Sequence, residues 1–167
     1  MKSYIQFFQN SFLVRLLKPW HANTGKRLVK SPKLLFTDNG ILHHLLKIYN
    51  KEILLGNPHV GNSWESFVIQ QIVSMLPVTI DTYFYRTQDG SEIDLLLTRG
   101  EEILATIEIK FSNTPKLTRG NTVAIETLKS EKNFIITPSS DVYRIRENLS
   151  VCNVSHFVKV VLPGLVE

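Results

Sequence analysis

Two strand-like segments stand almost end to end near the middle of the chain, Glu92 to Thr98 and Ile103 to Phe111, with Arg99-Gly100 in the short connection between them. So short a connection joins antiparallel neighbours, and a hairpin is the expected pairing. Alternation puts Ile93, Leu95 and Leu97 on one face of the first segment, with Glu92, Asp94 and Leu96 on the other. In the second, Ile103, Ala105, Ile107, Ile109 and Phe111 share a face opposite Thr106, Glu108 and Lys110. An antiparallel sheet with one solvated face gives the same alternation, and Glu108 and Lys110 are then surface residues in weak cross-strand pairs. The pair of strands adds something that neither has alone. Hairpin pairing brings Asp94 and Glu108, fourteen residues apart, side by side, with Lys110 one same-face step further along. Two adjacent carboxylates repel unless a proton or a divalent cation relieves them, and hard oxygen ligands suit Mg²⁺ or Mn²⁺. A lysine beside such an ion can position water or stabilise charge on a phosphate oxygen.

A third polar residue breaks an apolar pattern upstream. The segment from Asn62 to Leu76 reads as a helix, capped by Asn62 or Ser63 and stopped by Pro77. On its wheel Phe67, Val68, Ile69, Ile72, Val73, Met75 and Leu76 form one wide apolar arc, and Glu65 falls inside it. A carboxylate there is paired, metal-bound, protonated, or near enough to the helix end to be stabilised by its dipole.

The first sixty residues read as helix and loop. An apolar stripe at Ile5, Phe8, Phe12 and Leu16 predicts a helix over 4–17, ended by Lys18-Pro19. Residues 20–33 are polar, basic and loop-like. Asp38 is the expected cap of a short helix carrying Ile41, Leu42, Leu45, Leu46 and Ile48, and 50–62 is expected to be a connection. Downstream, Thr82 to Arg86 is strand-like and Gln88-Asp89-Gly90-Ser91 is a turn. A helix over 121–132, a short strand at 134–137 and a last strand at 157–162 complete the reading. The order predicts an α/β fold, a mixed central sheet flanked by helices, with an N-terminal helical segment (1–60) packed on a core (61–167) as one structural domain.

The chain has 167 residues, 43% of them hydrophobic, and a formal charge of +4. That length suits one domain, and the mild positive charge permits a polyanionic partner without requiring one. Cys152, the single cysteine, allows no internal disulfide; it is expected in the core, with a reducing cytoplasm as the default compartment. The apolar N-terminal run is broken by Gln6, Gln9, Asn10 and Arg15, so no membrane span or signal core is expected.

Asp94 followed by Glu108-Ile109-Lys110, with Glu65 on the preceding helix, resembles the D…(E/Q)xK signature of the PD-(D/E)XK phosphodiesterases. More narrowly, several phrases resemble the C-terminal domain, itself of unknown function, of a family of bacterial and archaeal AAA-type ATPases. They are Pro32-Lys33-Leu34-Leu35-Phe36-Thr37-Asp38-Asn39-Gly40, Gly61-Asn62-Ser63-Trp64-Glu65, Phe84-Tyr85-Arg86-Thr87, Gly90-Ser91-Glu92-Ile93-Asp94-Leu95-Leu96 and Ile107-Glu108-Ile109-Lys110-Phe111-Ser112. The resemblance implies a restriction-endonuclease-like fold and Mg²⁺- or Mn²⁺-dependent hydrolysis of nucleic acid, DNA above all. Asp94, Glu108 and the Ile109 carbonyl would hold the metal. Glu65 would act through a metal-bound water, and Lys110 would orient the attacking water. It also implies an AAA-type ATPase partner. The ATPase module such relatives carry is not expected here, because Gly25-Lys26 lacks the upstream glycine and following Ser or Thr of a P-loop.

Arg86, Lys33, Lys116 and Arg119 are the expected phosphate contacts, with solvated surface charge as the alternative for each. None of the five histidines has zinc-ligand spacing; His59 is an outside candidate near the site. Two other functions compete with catalysis. One is a non-catalytic module binding DNA or protein beside an AAA-type ATPase, and the other is a homodimer formed through Phe7, Phe8 and Phe12.

Overall fold

The computed structural model describes residues 2–21 and 27–167. The Gly25-Lys26 pair lies outside the described residues. Among the described residues the fold is α/β, with an eight-stranded mixed sheet. In chain order the strands are β1 (Val14–Pro19), β2 (Lys33–Phe36), β3 (Asp81–Arg86), β4 (Glu92–Arg99), β5 (Glu102–Ile109), β6 (Asn133–Thr137), β7 (Tyr143–Arg146) and β8 (Leu149–Asn153). Across the sheet they lie in the order β2-β1-β3-β4-β5-β6-β8-β7. The helices are α1 (Lys2–Asn10), α2 (Asn39–Leu45), α3 (Lys51–Leu55), α4 (Val60–Val73) and α5 (Arg119–Leu128), followed by a helical C-terminal segment. Among the described residues no helix is long and apolar enough to cross a membrane.

The expected N-terminal helix over 4–17 is half right. It stops at Asn10 because Phe12 adopts a left-handed backbone (φ 57°). Leu13 N–H bonds back to Phe8 O and Phe12 N–H to Gln9 O, both at 3.0 Å, which is the hydrogen-bond pattern of a Schellman end with Phe12 where glycine is usual. Beyond it Val14 and Leu17 are buried in β1, which pairs antiparallel with β2 and parallel with β3. Two strands of the first sixty residues thus belong to the sheet, a long-range pairing that local periodicity does not encode. Phe7 and Phe12 stand exposed on and beyond α1, and Phe8 is just within the exposed range.

Three further expectations are corrected. The connection over 50–62 contains α3, capped by the Asn50 side chain on Ile53 N–H. Helix α4 begins at Val60 behind His59, so neither Asn62 nor Ser63 is its cap. The last segment, Phe157–Val161, is a π-helical turn, closed by Leu162 N–H on Phe157 O at 2.8 Å. Apolar residues of this turn and of the helical residues after it serve as helix-spaced anchors: Phe157, Leu162 and Leu165 all enter the main core. Asn153, which accepts from His156 N–H, was the available start signal. The strands β7 and β8 went unpredicted, although Cys152 does lie in the core, as expected.

Helices cover both faces. Val68, Ile69 and Ile72 of α4 pack with the C-terminal anchors on Leu95, Leu97, Ala105, Ile107 and Ile109. Ala124 and Leu128 of α5 pack with Tyr85, Ile93 and Leu96 in a second cluster. Ile93 therefore parts from Leu95 and Leu97, against the simple alternation. The β3–β4 register explains it: Tyr83 pairs with Leu96 but Tyr85 with Ile93, so β4 carries one extra residue between Ile93 and Leu96. A second irregularity, between Leu97↔Ala105 and Thr98↔Ile103, sends Ile103 to the α5 cluster and Leu104 to the α4 cluster.

Candidate functional site

The β4 irregularity falls at Asp94, where ordinary pairing is replaced by a side-chain contact. Asp94 Oδ2 accepts the Ile109 backbone N–H at 3.0 Å. The β4–β5 register has Leu95 opposite Ile107, and one step further sets Asp94 opposite Glu108, as the hairpin reading expected. Both carboxyls are buried, at 7% and 5% exposure. Glu108 Oε1 is held by Lys110 Nζ at 2.6 Å, whereas its Oε2 is buried with no hydrogen-bond partner among the described residues. Burial, and then the Asp94 charge, push the Glu108 carboxyl up to about 8 against the pull of Lys110. Burial alone would lower the Lys110 ammonium, but the Glu108 hydrogen bond and charge outweigh it and raise its pKa.

Glu65 is the sixth residue of α4, too far along for the helix end to be its chief stabiliser. The paired alternative is the one realised. Lys33, the first residue of β2, reaches across to it with Nζ 2.8 Å from Glu65 Oε1, 3.2 Å from Glu92 Oε1 and 3.3 Å from Asp94 Oδ1. The same ammonium lies 5.3 Å from the centre of the Phe84 ring. Burial would lower the Lys33 pKa, but the Asp94 and Glu65 charges and the Glu65 hydrogen bond outweigh it and raise it. Burial and the Asp94 charge raise the Glu65 carboxyl, partly offset by Lys33. Glu92 also pairs with Arg86; burial would raise its pKa, but the Arg86 hydrogen bond and the Lys33 charge win and lower it.

Four elements, α4, β2, β4 and β5, thus gather Glu65, Lys33, Asp94 and Glu108, with Lys110 one residue past the end of β5. Arg86 joins them through Glu92, while Lys116 and Arg119 stand exposed in the connection to α5 and on its first turn. Lys33, one of the expected phosphate contacts, here pairs with the carboxylates. Glu92, which was not among the expected site residues, joins them, although its two-residue spacing to Asp94 was a usable signal. The role of Lys33 had no such signal, because its partners lie 32 and 61 residues away. Lys33, Glu65, Arg86, His59 and Asn62 share a cavity of about 470 Å³, which places His59 beside the site.

The donor chemistry, carboxylate oxygens with one unpartnered buried oxygen at Glu108, suits a hard divalent ion. In the present arrangement the carboxylates are gathered on lysine ammonium groups. Among the described residues, no group of three or more His, Cys, Asp or Glu side chains is arranged as a metal-ion site.

Fold and site together define a mixed-sheet α/β protein carrying a buried carboxylate and lysine cluster. The chain belongs to the family described as Domain of unknown function (DUF4143), whose model matches residues 60–157 and so includes Glu65, Asp94, Glu108 and Lys110. A second model, Domain of unknown function (DUF8612), matches residues 1–52, which hold Lys33. Two relatives are the uncharacterized proteins Rv2008c of Mycobacterium tuberculosis and Mb2031c of Mycobacterium bovis. Each is 36% identical over 137 residues, covering 82% of this chain and 31% of the relative. The chain thus spans less than a third of the length of those relatives. Among solved structures, the chain is similar to a refined half-complex from a tetradecameric assembly of Thermococcus gammatolerans McrB AAA+ hexamers with bound McrC. Its TM-score is 0.42 at 9% identity, covering 90% of this chain and 59% of that one.

Proposed function

We propose that this chain hydrolyses nucleic-acid phosphodiester bonds, those of DNA first, with Mg²⁺ or Mn²⁺. The observation that carries the reading is Glu108: a buried carboxyl opposite Asp94, tied by one oxygen to Lys110 and with the other unpartnered. Asp94, Glu108 and the Ile109 carbonyl would hold the ion, with Glu65 reaching it through a water. Bound there, it would polarise a phosphoryl oxygen and make a water acidic enough to attack. The chain's own groups do the rest. Lys110, fixed by Glu108, orients the attacking water, and the Asp94–Ile109 hydrogen bond keeps the β5 end of the site in place. Arg86, Lys116 and Arg119 supply positive charge for the phosphate backbone. The resemblance of Asp94…Glu108-x-Lys110 to PD-(D/E)XK phosphodiesterases supports the same roles.

A second reading has one observation in its favour: Lys33 is already paired with Glu65, Glu92 and Asp94. The chain would then be a non-catalytic DNA- or protein-binding module working with an AAA-type ATPase. Cleavage of single- and double-stranded DNA and RNA, with and without Mg²⁺ or Mn²⁺, separates the two. Cutting that needs the metal and is lost in Asp94→Ala and Lys110→Ala is expected. No cutting by a folded wild type turns the choice to the binding module.

A further inference from the structure

We propose that Lys33 is a tethered competitor of the divalent cation: its ammonium fills the carboxylate site, and metal loading requires it to move out into the cavity it lines. This rests on the metal-binding reading above.

The geometry sets the competition. One nitrogen lies within 3.3 Å of oxygens from Glu65, Glu92 and Asp94, which come from α4 and β4. Asp94 Oδ2 already accepts the Ile109 N–H, so an ion held by Asp94 takes Oδ1, the oxygen that now faces that nitrogen, and the water through which Glu65 would reach the ion needs the Oε1 that Lys33 holds. Two cations at contact distance in a buried site exclude one another. Lysine is suited to the part because its ammonium is a compact point charge on a flexible four-carbon stem. There is also room to leave, since Lys33, Glu65 and Arg86 line the same cavity of about 470 Å³. The second observation pointing to a cation is on the neighbouring strand. Glu108 is 5% exposed, and its Oε2 has no hydrogen-bond partner among the described residues, Lys33 included.

Two consequences follow. Without metal, Lys33 holds α4 and β4 together and spares the fold the repulsion of Glu65, Glu92 and Asp94. With metal, the lysine is freed beside Arg86, where it can face a phosphate. The exchange makes the affinity of the wild-type chain for the ion lower than its carboxylates alone would give.

The test is Mn²⁺ binding measured by the free-ion electron paramagnetic resonance signal, on wild type, Lys33→Met, Lys33→Gln, Asp94→Asn and the double variant Lys33→Met/Asp94→Asn. The expected result is Mn²⁺ bound at least tenfold more tightly by both Lys33 variants than by wild type, with binding lost in Lys33→Met/Asp94→Asn. Thermal melting gives a second readout: Lys33→Met is expected to melt lower than wild type in EDTA and to regain the difference in Mn²⁺. If wild type binds Mn²⁺ through Asp94 and the Lys33 variants bind it equally or more weakly, the competition is overturned while the metal site stands. If no variant and no wild type binds Mn²⁺, the metal site itself fails and this inference with it. Should the Lys33 variants be unfolded in EDTA, refolding on Mn²⁺ but not on equal ionic strength of NaCl supports the exchange. Failure to refold on Mn²⁺ overturns it.

Discussion

Asp94 joins two strands at the point where their backbone pairing ends: its Oδ2 accepts the Ile109 N–H at 3.0 Å while its Oδ1 faces Lys33 at 3.3 Å. One carboxylate thus closes the β4–β5 ladder and anchors the charge cluster. Asp94→Ala leaves the buried Ile109 N–H without an acceptor, a loss of about 1–3 kcal/mol. Asp94→Asn keeps an acceptor oxygen and is expected to lose less. Urea denaturation of the two variants in EDTA checks the order.

Glu108 makes stability fall with rising pH. Its folded pKa, about 8, lies above the ordinary 4.5, so between those values the folded chain holds a proton that the unfolded chain has lost. By linkage its contribution is fully present below about pH 4.5 and is lost as pH rises through about 8. Glu108→Gln, which cannot ionise, is expected to flatten the wild-type decline between pH 5 and 8 and to gain on wild type most at pH 8. Chemical denaturation at four pH values in EDTA measures it.

The turn before β4 is clamped to α5 by close contact. A Cβ added to Gly120 would lie 2.3 Å from Gly90 O, and Asn121 Nδ2 bonds Glu92 O at 2.9 Å. Gly120→Ala is expected to destabilise by about 2 kcal/mol, as overpacking does. Gly61→Ala in α4 meets nothing within 4 Å and is expected to stabilise by roughly 0.5–1 kcal/mol. Thermal melts of the pair give opposite signs.

Phe12 stands 83% exposed in a left-handed backbone. Phe12→Gly relieves that conformation and removes little packing, so a gain on the order of 1 kcal/mol is expected. A fall in stability, with a shift from dimer to monomer by ultracentrifugation, would instead mark Phe12 as a contact between copies.

What was legible in the sequence was local or of fixed period. The alternation in 92–98 and 103–111 and the short connection between them were enough to set Asp94 opposite Glu108 with Lys110 beyond, and the polar break in the α4 arc exposed Glu65. The extra residue in β4 was invisible, because a bulge shows only against a partner strand, and it parted Ile93 from Leu95. The stripe through Leu16 concealed β1, since a helical period and a strand with Val14 and Leu17 buried share positions over so short a run. Lys33 read as a free basic residue because nothing near it in sequence foretells the three carboxylates that surround it.

The most direct test of the central claim is anomalous diffraction from crystals soaked in Mn²⁺, on wild type and Glu108→Gln. The expected result in wild type is a peak at about 2.1 Å from oxygens of Asp94 and Glu108 and from the Ile109 carbonyl, with Lys33 withdrawn from the carboxylates and the peak weakened in Glu108→Gln. Saturating Mn²⁺ that leaves no peak there, and Lys33 still paired with Glu65, would contradict it.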